Sequence, residues 1–355
     1  MPSLPWQILH HPLEAINFLY YFTVQLLLLT LHRILLPHYP YYQSFRTQVQ
    51  RAYLASTSLC FPTLTHRLPA TYTLQQAARI HGTGWNGYVT PGDQVDRLHS
   101  AGDSDDVGIV LYAHGGGYAR GEARMYYWHT RRWIEVAKAK GLEVIFVSVE
   151  YPLSGEVPHP AQRAAFLAAY HHLLELNIPA SKIMFMGDSA GGGLCINAAL
   201  HALETGVPQP AGSVLISPWL DMSLSAYEGG NQAVMSDFLV AANTAVPVMA
   251  NAFLGPYAAT DPDVNPLCRP LEQIKNLNPQ LIFVGGAEFA LSDSKDWARL
   301  CREAGVKHEL HVGWGQLHVW ALGLKWIEPS LRRKTEERIV DWMIDCIHRS
   351  SMKPS

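Results

Sequence analysis

The sequence predicts an α/β protein with a mainly parallel central sheet and helices on both faces. Short apolar runs alternate with segments of helical period, which is the pattern of strand–helix–strand units. The chain has 355 residues and is 48% hydrophobic, which is ample for one large core with a smaller appended region. The alternation breaks after the fourth predicted strand, and this break predicts a helical cap.

The elements follow in chain order from about residue 71. Six short apolar runs, rich in β-branched or aromatic residues, predict strands. They are Gly108–Ala113, Leu142–Val149, Lys182–Met186, Ser213–Ile216, Gln280–Val284 and Glu309–Val312. Helices are predicted over Arg131–Lys140, Ala161–Leu176 and Gly192–Glu204. The stretch Asp221–Leu254 breaks the rhythm and predicts a cap insertion at about residues 221–255.

The composition excludes several classes of protein. Charged residues make up 16% of the chain, the formal net charge is −3, and no long run of one sign occurs. We therefore expect no nucleic-acid partner. The five cysteines are far apart and form no C-x-x-C pair, so we expect mostly buried, reduced thiols and no metal site. One disulfide stays open for an oxidising lumen. No cofactor is predicted.

The strand predicted at Lys182–Met186 runs directly into Gly187–Gly191, GDSAG. This is a G-x-S-x-G motif at a strand-to-helix turn, the nucleophile elbow of the α/β-hydrolase fold. Glycines on both sides allow a close chain approach while the serine hydroxyl stands clear of the backbone. The elbow also directs the N–H of Ala190 towards a developing oxyanion. Ser189 is therefore the predicted nucleophile.

A second glycine motif, formed by His114, Gly115, Gly116 and Gly117, directly follows a predicted strand. Three consecutive glycines let backbone N–H groups turn inward with no side chain in the way. We predict Gly116 and Gly117 as oxyanion-hole donors, together with Ala190. A tight structural turn or an anion-binding loop is the alternative interpretation.

A serine hydroxyl needs a general base, because it is unreactive at neutral pH. In this fold the order along the chain is serine, acid, histidine. The candidate bases are His308, His311, His318 and His348. The first two lie in or beside a strand, and the last lies in a terminal helix. His318 lies in a glycine-containing loop just past the last strand, which can bring an imidazole to the top of the sheet, so it is the predicted base.

The acid is expected in the turn after the strand Gln280–Val284, which runs GGAEFALSD from Gly285 to Asp293. Its role is to fix the imidazole tautomer and to stabilise the imidazolium. Glu288 and Asp293 both qualify chemically. We favour Glu288, because a turn that begins with two glycines should present its first carboxylate to the site. The other carboxylate is then expected to cap a helix or to lie on the surface.

These motifs resemble the hormone-sensitive-lipase branch of the α/β-hydrolases, which includes microbial esterases and arylacetamide deacetylases. The resemblance runs from about Ile109 to Trp320. Its marks are HGGG, YPL at Tyr151–Leu153, HPA at His159–Ala161, GDSAGG at Gly187–Gly192, SPWLD at Ser217–Asp221 and the histidine loop. The family's acid motif, D-P-L-R-D, is altered here. When the motif is placed by its distance from the end of the strand, its first Asp corresponds to Glu288. When it is placed so that its second Asp is Asp293, its first Asp corresponds to Phe289, which cannot act as an acid.

The resemblance implies a serine hydrolase that cleaves carboxylic esters of lipophilic small molecules through an acyl-enzyme on Ser189. Aromatic residues near the motifs, among them Tyr118, Trp219 and Trp314, suit an apolar pocket. The same residues suit acyl transfer to an alcohol, or hydrolysis of an amide or lactone, since the chemistry is shared. A non-catalytic binding protein, similar to the gibberellin receptors of this family, is disfavoured because Ser189 and His318 are both present.

The N-terminal part differs from the rest of the chain. Ala15–Leu31 carries no charge and would span about 26 Å as a helix, against about 30 Å for a hydrocarbon core. No Lys or Arg precedes it and no A-x-A site closes it, so it does not resemble a cleaved signal peptide. We predict membrane association through residues 15–36. A buried or interfacial helix that covers the active site is the alternative.

The sequence leaves the side of the membrane open. Arg33, Arg46 and Arg51 follow the apolar run, so the positive-inside rule places the rest of the chain in the cytosol. The arylacetamide deacetylases, by contrast, face the lumen of the endoplasmic reticulum. We therefore expect a membrane-associated protein, at the endoplasmic reticulum if eukaryotic. The predicted parts are an anchor and cap/lid segment over residues 1–70 and an α/β-hydrolase catalytic domain over 71–355.

Overall fold

A computed structural model of the protein describes residues 11–60, 76–104, 106–242 and 245–351. These residues form one eight-stranded sheet with the order β1-β2-β4-β3-β5-β6-β7-β8. Its strands are β1 (Ala78–Gly82), β2 (Trp85–Thr90), β3 (Val107–Ala113), β4 (Glu143–Val149), β5 (Ile183–Asp188), β6 (Gly212–Ile216), β7 (Gln280–Gly285) and β8 (His308–Gly313). The pairs β1–β2 and β2–β4 are antiparallel and all others are parallel, which confirms the predicted sheet.

Helices cover both faces of this sheet. They are α1 (Pro12–Leu35), α2 (Phe45–Cys60), α3 (Tyr127–Ala139), α4 (Ala161–Glu175), α5 (Ala190–Glu204), α6 (Gln232–Met235), α7 (Ala245–Leu254), α8 (Leu271–Ile274), α9 (Leu291–Glu303) and α10 (Pro329–Ser351). Alternate residues of β3 enter two separate cores, because strand side chains point to opposite faces. Ile109 belongs to the core that includes residues of α4, α5 and α9, whereas Val110 belongs to the core that includes residues of α3 and α10.

The observed bounds of β5 and α5 differ from the predicted ones at the turn that carries Ser189. β5 continues two residues past Met186, and α5 begins two residues before Gly192, so a single residue joins them. The antiparallel pair β1–β2 was not predicted. β1 has the sequence ARIHG at the edge of the sheet and is half exposed, so it lacks the continuous apolar run of a buried strand. Four of the five cysteines are buried, and Cys268 is exposed.

The predicted cap insertion contains α6, a 3₁₀ turn at Phe238–Ala242 and α7. The predicted domain boundary near residue 70 lies outside the described residues, so the division of the chain stays a prediction. At the N-terminal end, α1 packs on α2, and α2 packs on the 3₁₀ turn of the cap.

The loop between α1 and α2 reaches the main domain. Gln43 is buried, and its Nε2 donates to the Ser236 carbonyl over 3.1 Å. Tyr42 lies so close to Gly286 and Gly315 that neither glycine has room for a β-carbon. The N-terminal segment therefore covers the turns that follow β7 and β8.

Candidate active site

The nucleophile elbow consists of one residue between β5 and α5. Ser189 has φ 51° and ψ −122°, a conformation that L-residues rarely adopt and that surrounding contacts must hold. Its N–H donates to the Ile216 carbonyl over 2.8 Å, and its own carbonyl accepts the N–H of Trp219 over 3.0 Å. Gly191 packs against the backbone of Ala113, where a β-carbon would overlap. The hydroxyl thus stands at the carboxyl edge of the parallel strands.

Three predicted residues come together at this edge. His318 Nε2 lies 2.9 Å from Ser189 Oγ, and His318 Nδ1 lies 3.1 Å from Glu288 Oε2. All three side chains are buried, with Glu288 fully enclosed. A carboxylate can only accept hydrogen bonds, so Nδ1 carries the imidazole proton and Nε2 is left to accept the proton of the serine. This geometry is that of a general base oriented by an acid.

Backbone hydrogen bonds join the acid turn to the histidine loop. The N–H of Gly286 donates to the Gly313 carbonyl over 2.7 Å, and the N–H of Ala287 donates to the Gln316 carbonyl over 3.0 Å. The two loops therefore form one unit, which fixes the position of Glu288 relative to His318. The other candidate histidines lie elsewhere: His308 and His311 are in β8, and His348 is in α10.

Asp293, the alternative acid, contacts a different part of the molecule. Its Oδ2 accepts the N–H groups of Leu220 and Asp221 over 3.0 and 2.9 Å. Burial raises its pKa to about 6, although these hydrogen bonds favour the charged form. The expected surface position of the second carboxylate is wrong, whereas its place at a helix terminus agrees with the other alternative. Asp293 is buried in the first turn of α9 and holds the turn that follows β6.

The HGGG loop is tied to the elbow by Asp188, the residue before the serine. Asp188 Oδ1 accepts the N–H of Gly115 over 3.0 Å and the Tyr112 hydroxyl over 2.8 Å. Its Oδ2 accepts the Tyr126 hydroxyl over 2.9 Å. Burial raises the pKa of Asp188 to about 6, against the effect of these three donors. Asp188 was not singled out from the sequence, because the position before the serine in G-x-S-x-G is variable and carries no chemical requirement.

The two glycines predicted as oxyanion donors occupy positions that a side chain could not. Gly116 and Gly117 have φ of 114° and 62°. A β-carbon on Gly117 would lie 2.6 Å from Met249 Sδ in the cap. His114 stacks on Tyr151 of the YPL motif, whose hydroxyl donates to the His114 carbonyl over 2.6 Å. Their role as oxyanion donors, with Ala190 at the start of α5, stays a prediction.

Two further residues near the triad were not predicted. The Ser217 hydroxyl donates to Glu288 Oε2 over 3.0 Å and accepts the N–H of Val319 over 3.0 Å, so it holds both the acid and the histidine loop. Asp237, in the cap, accepts the N–H of Phe289 over 3.1 Å. SPWLD marked Ser217 as a motif residue, but nothing in the sequence connected it to the acid. No motif marked Asp237.

The charges around His318 stabilise its protonated form relative to that of a free histidine. Burial lowers the pKa of His318, but the negative charge of Glu288 and its hydrogen bond, with the charges of Asp237 and Asp188, outweigh burial and leave the pKa raised. Asp237 is itself fully buried, and burial raises its pKa to about 7. Within the described ranges, no cluster of three or more His, Cys, Asp or Glu is placed to hold a metal ion.

We expect a pH profile that follows from these charges. His318 accepts a proton only as neutral imidazole, so kcat/KM falls as the pH drops through its pKa. The acid limb should lie above 6.5, the ordinary value for histidine. Asp237→Asn should move the limb to lower pH, because loss of a nearby negative charge destabilises the imidazolium. Initial rates with p-nitrophenyl acetate across the pH range measure both values.

Glu228 is exposed and lies in the same cap segment, so Glu228→Gln is the matched control. This substitution should not shift the acid limb of the pH profile. An unmoved limb in Asp237→Asn, with an unchanged melting temperature, would contradict the electrostatic interpretation.

Comparison with known proteins agrees with this geometry. Residues 110–322 match the protein family described as alpha/beta hydrolase fold. The chain is 33% identical over 251 residues to an acetyl-hydrolase of Streptomyces hygroscopicus, covering 68% of this chain and 78% of the relative. It is 32% identical over 114 residues to hormone-sensitive lipase of Homo sapiens, covering 31% and 10% of the two chains. The crystal structure of a hormone-sensitive lipase from a metagenome library has a TM-score of 0.66 and 28% identity, over 90% of this chain and 97% of that one.

The chain therefore belongs to the α/β-hydrolase fold family. Within that family it is a carboxylic ester hydrolase of the hormone-sensitive-lipase-like type. The predicted fold, family and enzyme class are confirmed.

Proposed function

We propose that the protein cleaves carboxylic esters of lipophilic small molecules through an acyl-enzyme on Ser189. The observation that carries this proposal is the hydrogen-bonded series from Ser189 Oγ through His318 to Glu288 Oε2. Such a series lets a neutral hydroxyl act as a nucleophile at neutral pH.

The proposed reaction has two halves. His318 Nε2 accepts the Ser189 proton as Oγ bonds to the ester carbonyl carbon, and the N–H groups of Gly116, Gly117 and Ala190 stabilise the oxyanion. The C–O bond to the alcohol then breaks, and the alcohol leaves with the proton from His318. In the second half water gives a proton to His318 as its oxygen bonds to the acyl carbon. The bond from that carbon to Ser189 Oγ then breaks, Oγ takes the proton back from His318, and the acid is released. Glu288 stabilises the imidazolium in both halves.

Apolar groups around the triad support a lipophilic substrate. The rings of Phe289 and Phe238 lie 4.9 and 6.3 Å from the imidazole of His318, measured between centroids. Met249 of α7 lies against Gly117 on the cap side. A fluorophosphonate probe followed by a chain-length series of p-nitrophenyl esters tests the proposal. Labelling without turnover of any ester in the series would contradict it.

We further propose that the protein associates with a membrane through residues 15–36. α1 is the one helix, among those described, that is long and apolar enough to cross a bilayer by length and composition. No residue of α1 is buried. Apolar surface of this extent in water is costly, so a lipid environment suits it.

Deletion of residues 1–36 should release the protein from membranes. The segment from residue 37 onward still covers the turns after β7 and β8, so hydrolysis of a soluble acetate ester should persist. Fractionation of cell membranes with alkaline carbonate, followed by an activity assay of each fraction, measures both effects. Complete extraction of the intact chain by high salt alone would contradict hydrophobic attachment.

A further inference from the structure

Helix α1 has two stripes on opposite sides. The less exposed stripe is Ala15, Phe18, Phe22, Leu26, Leu29 and Arg33. The other, which we call the outer stripe, is Leu13, Ile16, Tyr20, Val24, Leu27, Leu31 and Ile34, with exposed fractions between 36% and 72%. Each set repeats every three or four residues and so runs the length of the helix. The outer stripe is an apolar surface with no protein partner among the described residues.

The less exposed stripe rests on α2, which runs antiparallel to α1. At one end Arg33 Nε donates to Gln48 Oε1 over 3.1 Å. At the other end Cys60 packs against Ala15 and Phe18. α2 therefore accompanies α1 over nearly its whole length, and the two helices occupy the same depth in any membrane.

α2 is unsuited to the interior of a bilayer. Its first half carries Arg46, Gln48, Gln50 and Arg51. The charge of Arg51 interacts with Asp237 in the main domain, and α2 packs on the cap turn Phe238–Ala242. A spanning α1 would carry Arg51 and this part of the cap into the hydrocarbon, where charged side chains are very costly. The hairpin as folded is therefore incompatible with a helix that crosses the membrane.

The surface near the C-terminal end of α1 has the composition of a membrane–water boundary. Its exposed aromatic residues include Tyr39, Phe45 and Trp314. Trp314 stands on the histidine loop and packs edge-on against Tyr42, with ring centroids 4.6 Å apart. The exposed cations Arg46 and Lys325 adjoin one another, since Arg46 donates to the Lys325 carbonyl. Trp and Tyr concentrate at lipid headgroups, and Arg and Lys complement their anionic charge.

We propose that α1 lies in the plane of one membrane leaflet, with its outer stripe among the acyl chains and α2 and the main domain on the water side. The occupant of the outer stripe is thus a lipid leaflet, in the manner of interfacial helices. This inference rests on the proposed membrane association and specifies its form. It also holds the catalytic domain close to the leaflet surface, because α2 packs on the cap turn that carries Phe238, which adjoins His318.

The first test is flotation of the full chain with vesicles of phosphatidylcholine containing a minor fraction of phosphatidylserine. Leu27→Glu with Leu31→Glu places two charges in the outer stripe. We expect the partition coefficient to fall by at least about tenfold per position, because burial of one Leu contributes about a factor of ten or more. Gln25→Glu with Thr30→Glu is the matched control. Both residues are exposed and lie about a quarter turn or more from the centre of the stripe, so binding should persist.

The second test uses small tags at residues 1 and 355 of the full chain, in sealed vesicles from expressing cells. A helix within one leaflet leaves both tags on the same side, so protease removes both or neither before permeabilisation. Tags on opposite sides, or equal detachment by the two glutamate pairs, would overturn the single-leaflet arrangement. A wild-type chain that never floats would overturn the membrane proposal as well. Turnover of a soluble ester reports separately on the hydrolase function.

Discussion

Ser189→Ala should lower kcat for ester hydrolysis by about 10⁶-fold, the order seen when a triad serine is removed. The reason is that Ser189 Oγ, 2.9 Å from His318 Nε2, is the hydroxyl hydrogen-bonded to this nitrogen among the described residues. Labelling by a fluorophosphonate should be lost in the same variant. Burst-phase and steady-state kinetics with p-nitrophenyl butyrate, with active-site titration of the wild type, measure the change.

The matched control for this variant is Ser292→Ala. Ser292 follows the acid turn, and its hydroxyl has no hydrogen-bond partner among the described residues. It should label and turn over as the wild type does. Normal turnover by Ser189→Ala, with a wild-type melting temperature, would refute the acyl-enzyme mechanism altogether.

Glu288→Gln should lower kcat by about 10⁴-fold, because an amide can select the wrong imidazole tautomer and cannot stabilise the imidazolium. Glu288 Oε2 has two donors, His318 Nδ1 and the Ser217 hydroxyl. The amide of glutamine brings an N–H₂ group into a site that needs an acceptor. Steady-state kinetics at one pH, checked by melting temperature, measure the effect.

Asp293→Asn is the matched control and should keep kcat within a few-fold of the wild type. One oxygen of Asp293 accepts both backbone N–H groups of the turn after β6, and asparagine retains such an oxygen. Any cost should appear in stability, about 1–3 kcal/mol if the two donors lose their acceptor. A collapsed kcat for Asp293→Asn beside an intact one for Glu288→Gln would exchange the roles of the two carboxylates.

The residues that sequence analysis could predict are those whose chemistry demands a local pattern. Ser189 needs glycines on both sides and a strand before it, and these signals lie within five residues. His318 was chosen by its place after the last strand. For the acid, local spacing allowed both Glu288 and Asp293, because the two residues differ in the groups that they contact in the folded chain. Glu288 faces an imidazole, whereas Asp293 faces the backbone of Leu220.

The unpredicted features arise from contacts between distant parts of the chain. Ser217 is 71 positions from Glu288 in sequence, and only the side-by-side placement of β6 and β7 brings them together. The strand β1 escaped prediction because its five residues, ARIHG, are half exposed and contain no apolar run. For α1 the helix itself was predicted, but its surroundings were not. Its apolar length predicted a membrane segment, but the polar α2 that lies along it is visible only once the hairpin is folded.

The contact of Tyr42 and Gln43 with the main domain bears on how this enzyme is shortened for laboratory use. Truncation after residue 36 removes only α1 and its connection through Arg33. Truncation after residue 60 also uncovers Gly286 and Gly315, beside the turns that position Glu288 and His318, and takes away the hydrogen bond to Ser236. The second deletion would therefore combine a loss of membrane attachment with damage to the catalytic framework. In this chain the N-terminal segment and the catalytic domain form one structural unit. Replacing the segment with that of a relative therefore requires compatible residues both in the segment and in the turns that it contacts.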